Sequence, residues 1–330
     1  MKIFVFEYVT GGGLYREPLP ASLVCEGDLM LQSLLRDLSD IPDVVISTTR
    51  DHRLTGSATL PAEVVSIPCE SDFDACWQGC VQAADAVWLI APETDGVLES
   101  LGNRVMASGK LLLGCSPASV EIAASKSATS EVLTRYGLLS VPIYHPTDVS
   151  FGEGPWVAKP DDGAGCEDTR RFENEPSLRA WLHLSGRMDT HIVQPLLSGE
   201  AASLSMLCKN GKAWLLTCNR QLIQLNHDDF SYHGSIINGM AQYWQAFEDI
   251  AARVAQALPG LAGYVGVDLI VAEAGMTVLE INPRLTTSYV GMHRAIGFNP
   301  ARLVLDMFYN DAFELPLTIA RNVVVISLNE

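Results

Sequence analysis

The chain has 330 residues, enough to bury a sizeable core in two or three structural units. Its 48% apolar content, with Gly and Pro spread along the length, fits a globular α/β protein and excludes a disordered or fibrous one. A net charge of −17 argues against nucleic acid or an anionic membrane as a partner, since a phosphate backbone needs a basic stripe.

A few placed Lys and Arg residues with a metal can still bind a phosphate locally. The apolar run at the start, Ile3 to Phe6, is far too short for a signal segment or a spanning helix, so a cytoplasmic location is expected. Eight cysteines (Cys25, Cys69, Cys76, Cys80, Cys115, Cys166, Cys208 and Cys218) lack CxxC spacing and paired His ligands. They read as reduced, mostly core residues, with Cys76 and Cys80 a core-facing pair one helical turn apart.

Residues 1 to 115 alternate strand and helix patterns. Strands are expected at Lys2–Val9, Asp43–Ser47, Glu63–Pro68, Ala86–Ala91 and Lys110–Gly114; helices at Glu26–Leu38, Asp72–Ala84 and Gly96–Ala107. That rhythm implies a parallel sheet with helices on its faces. The first strand runs into Thr10-Gly11-Gly12-Gly13, which reads as a ligand contact at the carboxyl edge of the sheet or as a flexible turn without a ligand. It lacks GxGxxG, so no dinucleotide fingerprint is present. Glu26 and Asp28 sit near the expected start of the second element, where the helix dipole alone accounts for them.

Ser116-Pro117 is a cap followed by a first-turn proline, and SKSATSEVLTRYG continues the helical region to a stop at Gly137. Lys126 lies at a helix start, against the dipole preference; either an anion also sits there or the ammonium is simply solvated. In WVAKPDDGAGCEDT a short strand ends at Lys159, and a Gly- and Asp-rich loop follows. The loop can turn backbone N–H groups toward phosphates, or it is a polar surface turn; it is not a P-loop. Pro176–Gly186 reads as a helix and His191–Pro195 as a strand. Glu200–Lys209 and Lys212–Leu225 form a hairpin across Asn210-Gly211. Arg220, a charge in an apolar strand, points to a partner or ligand. Asn226–Gly239 is polar and irregular and reads as a mobile loop. Ala241–Leu258 is an amphipathic helix with Tyr243, Phe247, Ile250, Val254 and Leu258 toward the core.

Gly263 to Arg284 holds two apolar runs that alternate as strands. With a loop at Glu273–Gly275, Asp268 lies opposite Glu280, and Asn282, two residues on, shares their face. Carboxylate and amide oxygens are the ligand set of a hard cation such as Mg²⁺; the alternative is a surface hairpin with solvated polar residues. The pairing depends on an odd loop length, because a slip of one residue turns Asp268 away. Two helical patterns and a strand at Asn322–Ser327 close the chain.

In order and content these pieces resemble the ATP-grasp superfamily, in which ATP lies between two α+β subdomains. The matching features are the N-terminal α/β region, Lys126, Lys159 with its Gly-rich loop, Glu200 in SGEAASLS, Asp268 and the closing Glu280-Ile281-Asn282-Pro283-Arg284. The resemblance implies a mixed α/β and α+β chain: an N-terminal parallel-sheet (pre-ATP-grasp) domain over residues 1–117, a lid subdomain over 118–190 and a metal-bearing subdomain over 191–330. It implies that Lys126 and Lys159 hold the α- and β-phosphates while the loop around Gly163 to Gly165 closes over the nucleotide. Adenine would lie against Gln194 to Leu197, with Gln194 where relatives often carry Glu, and the ribose hydroxyls on Glu200. Asp268, Glu280 and Asn282 would hold Mg²⁺, with Mn²⁺ as the alternative ion, and Arg220 and Arg284 would neutralise the transferring phosphate and the carboxylate.

The opening FEYVTGGGL and the following LVCEGDLM resemble the tyramine–L-glutamate ligase group of methanofuran-type cofactor pathways, so Tyr8, Gly11, Gly12 and Gly13 are taken as substrate contacts. The implied reaction joins a carboxylate, L-glutamate, to an amine, tyramine or a relative, through an acyl phosphate, on small-molecule substrates and with a homodimer allowed. Rival readings are a ligase for another acid and amine, glutamyl chain extension, a small-molecule kinase, or a non-catalytic ATP-binding protein. His233 and Asp229 are candidate bases, and Tyr8, Tyr289 and Trp244 candidate walls of an aromatic-amine slot with an acidic end.

Overall fold

The computed structural model describes residues 1–54, 60–68, 73–163, 166 and 168–328. The first strand, β1 (Lys2–Glu7), carries Ile3, Val5, Phe4 and Phe6 fully buried, which is the continuous apolar run expected of a strand covered on both faces. It is followed by α1 (Ala21–Ser39), β2 (Val45–Asp51), β3 (Glu63–Ile67), α2 (Phe73–Ala83), β4 (Ala86–Ile90), α3 (Val97–Ala107) and β5 (Leu111–Leu112). The five strands form one parallel sheet in the order β3-β2-β1-β4-β5. The order reverses between β1 and β4, so the crevice beyond their carboxyl ends is where a ligand fits an open α/β sheet. Helix α1 begins five residues before the expected start, at Ala21, because its apolar face extends back from Met30 and Leu31.

Two helices follow, α4 (Pro117–Ala124), capped by Ser116 as the Ser-Pro pair predicts, and α5 (Lys126–Arg135), which starts anew with its own cap, Ser125. The next elements, β6 (Trp156–Pro160), β7 (Arg170–Phe172), α6 (Glu175–Leu182), α7 (Arg187–Thr190) and β8 (His191–Pro195), enclose a small separate core of Phe151, Trp156, Phe172, Leu178, Leu182 and Val193. The turn α7 is an addition to the expected elements.

β9 (Glu200–Lys209) and β10 (Lys212–Asn226) pair across Asn210 and Gly211, both at positive φ (51° and 76°), as the Asn-Gly signal requires. The segment expected as a mobile loop is instead β11 (Asp229–Ile237). It pairs with β10 and also with β7 and with the closing strand β14 (Val324–Ser327), so backbone groups that a polar sequence leaves to water find partners on both sides. After α8 (Trp244–Ala257) come β12 (Gly263–Ala272) and β13 (Gly275–Asn282), then α9 (Met292–Ile296) and α10 (Pro300–Tyr309). Among the described residues the second sheet runs β13-β12-β9-β10-β11-β7-β6-β8. Phe247, Ile250, Val254 and Leu258 are buried as expected, whereas Tyr243 is 40% exposed, because it lies in a 3₁₀ turn before α8. Of the cysteines, Cys80, Cys115, Cys208 and Cys218 are buried, Cys25 is exposed, and Cys76 and Cys166 lie between; all of these are free, and Cys69 lies outside the described residues.

The Thr10–Gly13 turn folds back on β1: Gly11 N–H donates to the Glu7 carbonyl at 2.8 Å and Gly13 N–H to the Tyr8 carbonyl at 2.8 Å. A Cβ on Gly11 would press into that Glu7 carbonyl and sit 2.9 Å from Thr49 Oγ1. Gly11→Ala is therefore expected to cost about 1–3 kcal/mol of stability by overpacking. Urea denaturation measures this, and an unchanged midpoint would mean that the turn is not packed this way.

Candidate active site

A cavity of about 830 Å³ opens where the first sheet, the strands β6 and β8, and the strands β9 to β13 meet. Its centre is the β12–β13 hairpin. Asp268 is paired with Glu280, and Gly266 with Asn282, as the alternation implies. The route to that register differs from expectation. Ala272 pairs with Gly275, so the loop is Glu273-Ala274, two residues, which alone would set Asp268 opposite Leu279. A β-bulge intervenes: Leu269 pairs with Val278, Asp268 pairs with Glu280, and the extra residue Leu279 shares the cavity wall with Glu280.

Asp268 accepts from Gln221 Nε2 at 2.9 Å and from Asn282 Nδ2 at 3.3 Å. Burial and the facing Glu280 charge push the Asp268 carboxyl up, whereas Lys126 and Lys159 outweigh burial at Glu280 and hold its carboxyl down. Lys126, buried at the start of α5, reaches the Gly163 carbonyl at 2.6 Å, the Asp161 carbonyl at 3.3 Å and Glu280 Oε2 at 3.6 Å. Asp161 fixes that helix start: its carboxylate accepts from Ser125 Oγ at 2.6 Å and from Ser127 N–H at 2.8 Å. Lys159, at the end of β6, lines the same cavity, and burial lowers its amine to about 8. One ammonium and two carboxylates from separate elements thus share the recess, and the Lys126 ammonium lies behind Glu280, off the cavity wall.

The remaining expected residues fall into two groups. Gln194, Leu197, Glu200, Arg220 and Arg284 line the cavity. Gln194 is buried, and Val141, Val157, Leu196, Ile270 and Leu279 give that end an apolar slot. Glu200 and Arg220 pair with each other at 2.7 Å, both about half exposed, while the Arg220 Nε is buried without a partner. Arg284 Nε and its Nη2 both reach Glu93 Oε2 at 3.0 Å. Tyr8 and Gly11–Gly13 are absent from the described cavity wall, and their neighbours Glu7 and Val9 are present. Gly163 is held by Lys126 rather than exposed on the wall, and Gly165 lies outside the described residues. Tyr289 packs edge-on to Tyr264 in the core, Trp244 lies under Arg321, and Asp229 and His233 are not among the lining residues.

Gln221, Glu93, Tyr232 and Thr286–Ser288 were not singled out by sequence reasoning. Gln221 carried one legible signal, its position beside Arg220 in an apolar strand. Among the described residues no three His, Cys, Asp or Glu side chains converge as metal ligands. The oxygen set of Asp268, Glu280 and the Asn282 amide nevertheless fits a hard divalent cation, because two partly buried carboxyl groups face each other across one strand pair and a cation removes the cost of charging both.

No helix among the described residues is long and apolar enough to cross a membrane. The chain is similar, at 26% identity over 292 residues (88% of this chain, 89% of the relative), to a protein named tyramine–L-glutamate ligase from Methanocaldococcus fervens. Among solved structures it is similar to an ATP-grasp superfamily protein of Archaeoglobus fulgidus (TM-score 0.72, 22% identity, all of both chains). It is also similar to the D-alanine–D-alanine ligase of Bacillus anthracis complexed with ATP (TM-score 0.63, 17% identity, 94% of this chain and 96% of that one). These two likenesses carry the fold alone. A pre-ATP-grasp domain model matches residues 44–120 and an ATP-grasp domain model matches residues 123–288. With half of its length in that second match, the parallel sheet in front and the large antiparallel sheet behind, the chain belongs to the ATP-grasp family.

Proposed function

We propose that the protein is an ATP-dependent ligase that forms an amide between a carboxylate, L-glutamate, and a primary amine of the tyramine kind, through an acyl phosphate, with ADP and phosphate released. The observation that carries this is the grouping of Lys159, Asp268 and Glu280 on the wall of a cavity that continues to the carboxyl ends of β1 and β4, with Lys126 buried behind Glu280 at 3.6 Å. A phosphate-binding end and a second-substrate end share one chamber. The named function of the Methanocaldococcus relative supports the choice of substrates, and a product of that kind would serve a methanofuran-type one-carbon cofactor.

Lys126 and Lys159 neutralise the nucleotide phosphates, and the apolar slot around Gln194 to Leu197 receives the adenine. Asp268, Glu280 and the Asn282 carbonyl oxygen would hold Mg²⁺, or Mn²⁺, which when bound shields the phosphate oxygens. Arg284, oriented by Glu93, meets the carboxylate that attacks the γ-phosphate. Arg220 exchanges Glu200 for the transferring phosphate; a half-exposed pair of this kind contributes only about 0–1 kcal/mol, so little opposes the exchange. Glu200 is then left for the ribose hydroxyls. The chain's own residues align and neutralise, and no covalent intermediate on the protein is required.

Phosphate release from ATP with Mg²⁺ and L-glutamate, measured with and without tyramine while the product is followed by mass, tests the reading. Release that needs both substrates, with a glutamyl-tyramine mass, is expected. Phosphorylation of either substrate without amide formation would identify a kinase instead. Glu280→Ala or Asn282→Ala should cut turnover by about 100-fold or more with the thermal melt retained; normal turnover with unchanged Mg²⁺ dependence refutes the metal assignment. Because the Lys159 amine sits at about 8 before nucleotide binds, ATP affinity should fall as pH rises through that value, approaching tenfold per pH unit. Lys159→Ala should weaken ATP binding by about 10- to 100-fold and flatten that profile; a pH dependence that survives the substitution assigns it to another group.

A further inference from the structure

One face of α1 borders the second-substrate end of the cavity. Leu23, Glu26, Gly27 and Met30, spaced three and four residues apart, all line it. Gly27 lets the helix lie against β1: a Cβ there would sit 2.7 Å from the Glu7 carboxylate. Because α1 begins at Ala21, Glu26 is past the first helical turn, and the helix dipole no longer accounts for an acid at that position.

The neighbouring acids each have a partner within the chain, although one oxygen of Glu93, Oε1, is buried without one. Glu7 accepts from Val9 N–H at 3.2 Å and from Thr10 N–H and Oγ1, each at 2.6 Å. Asp28 forms a two-pronged pair with Arg50, and Glu93 holds Arg284. Glu26 makes no hydrogen bond or ion pair among the described residues, although it sits in a bay whose other surfaces include Val9, Met30, Ile90 and Ala91. The nearby positive charge is also committed, since Arg284 is taken by Glu93. Burial raises the Glu26 carboxyl and the Arg284 charge opposes that rise. A carboxylate left unpaired beside apolar walls favours a ligand that brings a cation on an apolar stem.

We propose that Glu26 determines acceptor specificity by receiving the ammonium of a primary amine whose apolar or aromatic stem lies along Val9, Met30 and Ile90. This rests on the ligase reading above.

The test is calorimetric binding of tyramine and of its uncharged counterpart, 2-(4-hydroxyphenyl)ethanol, to the full chain and to Glu26→Gln, with Mg²⁺ and a non-hydrolysable ATP analogue present. The unsubstituted protein is expected to prefer the amine by about tenfold or more. Glu26→Gln should erase that preference while leaving the alcohol, the nucleotide and the melting temperature unaffected, and Glu26→Asp should restore part of it. A preference that persists in Glu26→Gln, or no preference in the unsubstituted protein, overturns the assignment. Turnover in the same preparations separates this from the substrate reading. Absence of glutamyl-tyramine with the cation preference intact overturns the choice of substrates and leaves the role of Glu26 standing. In turnover, Glu26→Gln should raise KM for the amine by at least about tenfold with kcat less affected; an unchanged KM for the amine overturns the proposal.

Discussion

Two partly buried carboxylates facing each other across one hairpin set the terms for everything around them. Asp268 and Glu280 are directly paired, their Cβ atoms about 5 Å apart as for opposite residues, and the Glu280 charge raises the Asp268 carboxyl. The chain answers with cations from elsewhere. Lys126, on α5, lies 3.6 Å from Glu280, Lys159 comes from β6, and the amides of Gln221 and Asn282 donate to Asp268. Each of these elements is therefore tied to the hairpin by charge as well as by packing. The same arrangement leaves Lys159 with a lowered affinity for its proton, because burial taxes an ammonium that a phosphate would stabilise.

The ion pairs near the cavity divide by burial, and the division matches their roles. Glu93 is buried and Arg284 partly so, and their pair joins the β13 end of the chain to the end of the first sheet, a structural link. Glu200 and Arg220 are about half exposed and held weakly, which suits the proposed exchange of partners on nucleotide binding. Glu26 differs from both kinds, having no partner within the described residues.

Much of this was legible before any coordinates. The apolar run of β1, the alternation in β12 and β13, the Asn-Gly turn and the Ser-Pro cap are local devices, and each produced the element it signals. The lysines and the Asp, Glu and Asn of the hairpin could be singled out because unusual residue types stood at strand ends and in apolar runs. β11 was not legible: it is polar, and it is a strand because β10, β7 and β14 supply hydrogen bonds that no local pattern encodes.

The sequence by itself determined the order of the elements, the identity of the charged residues and the pairing face of Asp268 with Glu280. Tertiary structure alone decided how that pairing is reached, since a two-residue turn and a compensating bulge at Leu279 give the same register as the longer loop that alternation suggests. It also decided which residues at the end of β1 face the cavity, placing Glu7 and Val9 on the wall while the glycines fold back against the strand. The physical reason is the same in both cases. Periodicity fixes which side of an element a residue takes, but whether that side meets a ligand, a neighbouring chain segment or water depends on contacts between residues far apart in sequence.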